Sequence, residues 1–427
     1  MLTGQSEIKN IGFISTRIAG TDGVSLEIEK WAAVLERNNM ECFYFSGEND
    51  RSPDKCMLVE EAHFFHEDIL DITDKCFGYY HRPDDVTRRI HTLRVYLKQK
   101  IYEFIRKFDI HLLVPENILA IPVNIPLGMA LVEVLAETCI PTIAHHHDFS
   151  WERDRFLVNA VNDYLDFAFP PTLKNIEHAV INSLASEQLC HRKGISNTII
   201  PNVYDFASPP PQTENCSDKL RLNAGLAKDD LFILQPTRVV PRKWIERSLE
   251  IVNLMKLRNP VLVISHSAED EGDLYGKRIE EYAHNLGVKI VSIEQFVGQG
   301  GAYSENSNKS YSIGDVYRCA DLVTYPSGYE GFGNAFLEAV YYQRPTVVNR
   351  YSIYIADIEP KGFDVIAIEG FVSSATIDKI EEVLADDERR ETMVKTNYRL
   401  GIEYFSYEVL EGLLLNLINT LKRKCTG

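Results

Sequence analysis

The sequence predicts an α/β protein of two doubly wound halves, each a parallel sheet flanked by helices, and three observations predict it. Short β-branched or apolar runs alternate with helix-length amphipathic segments along most of the chain, and parallel pairing requires such crossovers. The alternation fails once, between Asn202 and Asn223, where Pro209-Pro-Pro211 is followed by Gln, Thr, Glu, Asn and Ser. A proline run with polar neighbours is a linker composition. A length of 427 residues allows two or three domains with sizeable cores.

Taken in order, Ile8 to Thr16 reads as the first strand, Gly20-Thr-Asp-Gly23 as a loop, and Val24 to Asn38 as a helix. On that helix Leu26, Trp31, Val34 and Leu35 can share one stripe. Cys42 to Ser46, Asp109 to Pro115, Pro141 to His146, Ala179 to Asn182 and Thr198 to Pro201 follow as strands of the first half. After the linker come strand Leu231 to Pro236, a helix from Ile245, strand Val261 to Ser265 and a helix from Tyr275. Strands Lys289 to Ile293 and Leu322 to Pro326, a helix from Asn334 and strand Thr346 to Asn349 complete the second half. The expected domains are residues 1–203 and 204–400, with Gly300 to Lys309 a polar loop. Tyr404 to Leu421 carries Val409, Leu410, Leu413, Leu414, Leu417, Ile418 and Leu421 on one face, as a closing amphipathic helix.

Composition narrows the function. The net charge of −17 argues against nucleic-acid binding, which needs clustered cations to displace counterions from phosphates. The start, Met1 to Glu7, lacks the basic-then-apolar pattern of a signal peptide, and the most apolar stretch, Ile110 to Leu135, is interrupted by Glu116, Asn117, Asn124 and Glu133. Eight cysteines are scattered without a C-x-x-C pair, the usage of a reducing compartment. A soluble, cytoplasmic protein is expected.

Chemistry concentrates in Tyr325-Pro-Ser-Gly-Tyr-Glu-Gly-Phe-Gly-Asn-Ala-Phe-Leu-Glu338. A strand ends at Pro326, a glycine-rich turn follows, and a helix opens near Asn334. Free N–H groups at a helix start attract anionic or oxygen-rich ligands, and Gly331 and Gly333 permit close approach. Glu330 and Glu338 stand eight apart, and ionised carboxylates accept from sugar and ribose hydroxyls. The bland alternative is one acid favoured by the helix dipole and a second that is solvated.

Gln235-Pro-Thr-Arg238-Val-Val-Pro-Arg-Lys243 sets an Arg and a Lys five apart between a strand and a helix. There a guanidinium fork and an ammonium can converge on a diphosphate, or be solvated charges. In Ile140-Pro-Thr-Ile-Ala-His145-His-His147-Asp148 three adjacent histidines suggest a metal. Side chains alternate along a strand, however, so only His145 and His147 share a face. With no Cys and only the adjacent Asp148 as an acid, no metal site is expected. Ala19-Gly20-Thr-Asp-Gly23 lacks G-x-G-x-x-G, and no acid clearly closes the second strand at Ser46, which disfavours NAD.

The run Pro-Ser-x2-Glu-Gly-Phe-Gly-x4-Glu-Ala, from Pro326 to Ala339, resembles the E-x7-E signature of the retaining glycosyltransferases of family 4 (glycosyltransferase group 1). The resemblance extends over nearly the whole chain. It implies the GT-B fold, two Rossmann-like domains facing across a cleft, with helix 404–421 packing back on the N-terminal, acceptor-side domain. It also implies that Arg238 and Lys243 bind the diphosphate of a nucleotide sugar, that Glu338 holds the ribose, and that Glu330 with Phe332, Gly333 and Asn334 holds the sugar. His147 and Asp148 match the family's His-Asp, which faces the donor sugar. The extra histidines leave open whether His146 or His147 points into the site, and His145 reads as a core histidine. Gly20 and Gly23 would line the cleft near the donor phosphates and the acceptor.

The implied activity is metal-independent, cofactor-free hexosyl transfer with retention, from a UDP- or GDP-linked sugar to a hydroxyl of a small acceptor, phosphorylated or not, or of a glycan. Rival readings are a GT-B epimerase or hydrolase, and a non-catalytic sugar-nucleotide-binding homologue. The joint presence of Glu330, Glu338, Arg238, Lys243 and His147 counts against the second.

One segment reverses the overall charge. Residues 82–107 hold eight Lys or Arg (82, 88, 89, 94, 98, 100, 106, 107) against three acids. Crowded cations repel one another unless an anion offsets them. Arg88 and Arg94, with Arg153 and Arg155 beyond His147, are therefore expected to meet an anionic acceptor. A membrane surface is the less favoured partner, because no aromatic cluster flanks the charges, and a solvated helix face is the bland reading.

Overall fold

The computed structural model describes residues 8–20, 22–210, 216–256, 259–266, 274–298 and 311–426. The chain forms two compact units, Met1–Asn202 with Glu408–Gly427, and Val203–Tyr407.

The first unit contains β1 (Asn10–Ile14), β2 (Arg17–Ile18), β3 (Glu41–Ser46), β4 (Glu48–Asn49), β5 (Cys56–Leu58), β6 (Leu112–Pro115), β7 (Thr142–His146), β8 (Ile176–Val180) and β9 (Asn197–Ile199). Seven of these form one sheet in the order β5-β3-β1-β6-β7-β8-β9, parallel throughout. β2 and β4 pair separately. Helices Asp84–Lys107 and Ile125–Thr138 cover one face. Ile90, Leu97, Ile101 and Phe104 from the first join Leu127, Leu131 and Val134 from the second and Phe43 and Phe45 from β3 in one core. Each such side chain, taken from water, contributes about 1.5–3 kcal/mol.

The second unit holds β10 (Asp230–Gln235), β11 (Asn259–Ile264), β12 (Ile290–Ser292), β13 (Leu322–Tyr325), β14 (Thr346–Asn349) and β15 (Ile366–Ile368). Their order is β12-β11-β10-β13-β14-β15, again all parallel. Alternate residues of a strand face opposite sides, and both sides are packed here. Ile233, Leu262 and Ile264 meet Leu249, Ile279 and Ile380, while Phe232, Leu234 and Val263 meet Val316, Tyr317 and Ala339. Burial on two faces explains why these strands read as continuous apolar runs.

In each sheet the strand order reverses at one place, beside β1 and β6 in the first unit and beside β10 and β13 in the second. Ligands of open α/β sheets bind outside the carboxyl ends of the strands at such a reversal. The loops that follow those four strands carry Gly20, Glu116, Arg238 to Lys243, and Glu330.

Several expectations shift. The linker reading ends earlier than its composition suggests, because Cys216–Asn223 is helical; residues 211–215 lie outside the described ones. The strand placed at Ala179 to Asn182 is Ile176–Val180. Asn182 instead caps helix Ser183–Lys193, its side chain accepting from the Ala185 N–H at 2.7 Å. The three-residue edge strands β5 and β15 carry too short a pattern to be read. The closing helix is Tyr407–Thr426, with Leu410, Leu414, Leu417, Ile418 and Leu421 buried. It is grouped with the first unit, and Lys424 pairs with Glu177 of β8 at 2.6 Å. Met1 to Glu7 and the loop Gly300 to Lys309 fall outside the described residues. Among the described residues no helix is long and apolar enough to cross a membrane.

Candidate functional site

In the second unit a buried polar lattice shapes the loop after β10. The Gln235 amide donates to Thr237 at 2.7 Å and accepts from Ser248 at 2.6 Å and Thr324 at 3.1 Å. This locks the strand end from which Arg238 to Lys243 departs. Lys243 closes the short turn Pro241–Lys243 and is 8% exposed. Its ammonium donates to Oε1 of Glu330, while Arg242 Nη1 donates to Oε2 at 3.0 Å. Burial pushes Lys243 below the usual lysine range, against the pull of Glu330 and with the help of Arg242 and Arg238. Burial alone would raise Glu330, yet Lys243 and Arg242 hold it below the ordinary carboxylate range. The charged pair is therefore stable near neutral pH.

The turn that carries Glu330 is held from both sides. The Gly328 N–H donates to the Arg242 carbonyl at 2.9 Å, and Asn349 donates to the Ser327 carbonyl at 2.9 Å. Gly333 has φ +135, and a Cβ there would come within 2.4 Å of the Tyr351 hydroxyl, so only glycine fits. Tyr351 in turn donates to the Phe332 carbonyl at 2.6 Å. The Phe332 ring is buried against Phe405, so its side chain serves the core and only its backbone remains for a ligand.

Helix Asn334–Tyr341 starts after Gly333 with no side-chain cap. Glu338 lies just over one turn inside it and accepts from Tyr317 at 2.7 Å. Glu330 and Glu338 thus have different partners. The structure brings Arg238, Lys243 and Glu330 together and sets Glu338 among tyrosines, with Tyr204 and Tyr342 close enough to feel its charge.

In the first unit, the pleat of β7 separates the three histidines. His145 Nδ1 lies 2.9 Å and His147 Nε2 lies 3.2 Å from the same Oε2 of Glu116. His146 turns to the opposite side and meets His178 at 2.9 Å, and burial pushes both of that pair down, His178 to about 4. Glu116 is fully buried. Burial would raise its carboxyl, but His145 and His147 hold it below its usual range. Burial would likewise depress His147, but Glu116, with buried Glu27 and with Asp148, raises it. His145 stacks on Trp31 with ring centroids 4.2 Å apart.

Asn117, in the left-handed region with φ 61, accepts from the His147 N–H at 3.1 Å and donates to Asp148 at 2.9 Å. Arg153 also binds Asp148. Arg155 lies over the Phe156 ring at 4.6 Å. The expectation that only Asp148 could join the histidines is corrected here, because Glu116 arrives from the neighbouring strand. Glu116 and Asn117 are the residues that sequence reasoning passed over. The available signal was their position directly after a strand, at the sheet's reversal.

Glu116, His145 and His147 also offer donor atoms within 4.8 Å of one another. To hold a divalent ion there they would have to give up both of these hydrogen bonds. Gly20, φ +74, donates its N–H to Asp50 at 2.8 Å. Gly23 begins helix Gly23–Arg37, whose first turn is already capped by the Asp22 carboxylate. An anion at that helix start would meet Asp22 rather than open amides.

The basic segment differs most from expectation. On and just before its helix, Asp84–Lys107, six of the eight cations pair with carboxylates. Arg82 forks onto Asp163 at 2.9 and 2.8 Å, Arg88 pairs with Asp84 at 3.3 Å, and Arg89 binds Asp68 and Asp71. Arg94 and Lys98 share Glu133 of the neighbouring helix, and Lys100 pairs with Glu103 at 2.9 Å. Much of the repulsion that an acceptor anion was expected to relieve is met by carboxylates, two of them on the same helix and the others distant in sequence.

Comparison with known proteins places this geometry. The family model described as Glycosyl transferases group 1 matches residues 217–400, the span that carries Arg238, Lys243, Glu330 and Glu338. The chain is 31% identical to a mannosylglucosylglycerate synthase of Thermotoga maritima, over 95% of this chain and 98% of that protein. It is 30% identical to the synthase of the same name from Petrotoga mobilis, over 84% and 86% of the two chains. Among solved structures, a glycosyltransferase of Rickettsia africae superposes with a TM-score of 0.69 at 14% identity, covering 97% of this chain and 98% of that one. With 31% identity to a synthase over 95% of this chain, and with two parallel sheets, the second of which carries the Arg–Lys pair and Glu330 on its reversal loops and Glu338 on the helix that follows, the chain belongs to the group 1 glycosyl transferases and has the GT-B fold.

Proposed function

We propose that this glycosyltransferase moves a hexose, with retention, from a nucleotide sugar to a hydroxyl of a small acidic sugar derivative, in the cytoplasm and without a metal or cofactor. The observation that carries the reading is the buried Lys243–Glu330 pair, joined by Arg242 and beside Arg238. A preorganised cation at the place where a diphosphate leaves stabilises the charge that develops there. Arg238 and Lys243 take the diphosphate, Glu338 takes the ribose, and Glu330 with Gly333 and Asn334 takes the sugar. The acceptor hydroxyl attacks the anomeric carbon on the face from which the diphosphate departs, and a diphosphate oxygen receives its proton.

His147 and Asp148 serve the sugar-facing side, and Arg153 and Arg155 the acid group of the acceptor. The names of the two synthases supply the first pair to test, a mannosyl nucleotide with glucosylglycerate. Thermal shift against UDP-, GDP- and ADP-hexoses identifies the donor, because a ligand that binds only the folded state raises its apparent stability. Product anomers are then read by NMR. Inverted product, or donor turnover equally fast without acceptor, would sink the proposal.

A further inference from the structure

We infer that Glu116 is a positioning residue for His147, an inference that rests on the proposal that His147 faces the reacting sugar. Glu116 stands at the end of β6 and His147 just beyond β7, 31 residues apart. An ionised carboxylate can only accept, so both imidazoles donate to Glu116, His145 through Nδ1 at 2.9 Å and His147 through Nε2 at 3.2 Å. With Nε2 committed, Nδ1 is the nitrogen that His147 offers to substrate. The other contacts of this assembly are equally fixed. Trp31 stacks on His145, which holds the far side of the shared oxygen, and Asn117 holds the His147 N–H at 3.1 Å. Glu116 is 1% exposed and acts through the imidazole, as residues behind a reacting group commonly do.

The consequence is a specific pattern of kinetic coupling. If Glu116 works only through His147, removing it matters only while His147 is present. The test measures kcat with GDP-mannose and glucosylglycerate, or the pair identified in the donor and acceptor screen, for His147→Ala, Glu116→Ala and the double variant. Each single variant is expected to lose about 10²-fold in kcat, the scale of a misplaced group, and the double variant to lose no more than His147→Ala alone. Glu116→Gln keeps an acceptor oxygen and is expected to retain kcat within about threefold while Glu116→Ala does not. Should Glu116→Ala fail to fold, Glu116→Asp carries the same cycle, because one methylene less withdraws the carboxylate from Nε2.

Losses that multiply in the double variant, a Gln variant as impaired as the Ala one, or a fully active Glu116→Ala would each overturn the inference. Full activity of His147→Ala would instead overturn the placement of His147 on which it rests.

Discussion

Lys243 and Glu330, 87 residues apart in sequence, meet as a buried ion pair at the carboxyl ends of β10 and β13. Their meeting joins two motifs that belong to different loops, and it explains how a lysine remains charged with 8% of its surface exposed.

Lys243→Ala should lower turnover by about two orders of magnitude or more, since a cation opposite a leaving diphosphate acts mainly in the transition state. It should also cost up to about 3 kcal/mol of stability, because the buried Glu330 loses its buried cation and keeps the part-exposed Arg242. Steady-state kinetics with denaturant melts read both effects. Near-normal turnover in a folded variant would remove Lys243 from the diphosphate.

Glu338→Gln keeps an acceptor for the Tyr317 hydroxyl, so the fold should persist. Loss of the charge should weaken binding of the nucleoside diphosphate by about 1–3 kcal/mol. Calorimetry with UDP and GDP measures it, and unchanged affinity would leave Glu338 a structural acceptor of the tyrosine cluster.

Gly333→Ala forces a Cβ to within 2.4 Å of the Tyr351 hydroxyl at φ +135. The expected cost is about 1–3 kcal/mol, with weaker donor binding as the Glu330 turn shifts. A melting temperature within a degree of the parent would show that the turn yields more easily than its packing indicates.

Arg94→Gln should lower stability by about 0.5–1 kcal/mol, since Arg94 and Lys98 share the half-buried Glu133. The Michaelis constant for acceptor should stay unchanged. A raised constant with an unaltered melting temperature would return this helix to acceptor binding.

His178 gives a pH dependence of defined sign. Buried against His146, its folded-state pKa is about 4, below the ordinary imidazole value of about 6.5. The unfolded chain therefore binds the proton first as pH falls. Stability is full above about 6.5 and drains away down to about 4, by an amount on the order of 3 kcal/mol. His178→Asn should flatten that part of a plot of melting temperature against pH, and an equally steep plot for the variant would place the proton uptake elsewhere.

The α/β class, most of the strands, and the two motifs at Arg238–Lys243 and Glu330–Glu338 were legible in the order of the residues alone. Those features are local: strand, glycine turn and helix start within a dozen residues, written in periodicity and in residue types that few other turns demand. That order also restricted the histidine problem to a choice of faces, because alternation is a property of any strand. Tertiary structure decided what depends on pairing between strands far apart in the chain. Glu116 reaches the histidines only because β6 lies beside β7, and no spacing within one segment announces that. The basic segment 82–107 shows the same limit in reverse. Its charges looked unmatched along the chain, yet Asp68, Asp71, Glu133 and Asp163 come to them from other elements. Charge balance is settled over a few ångströms of space, and sequence distance does not measure it.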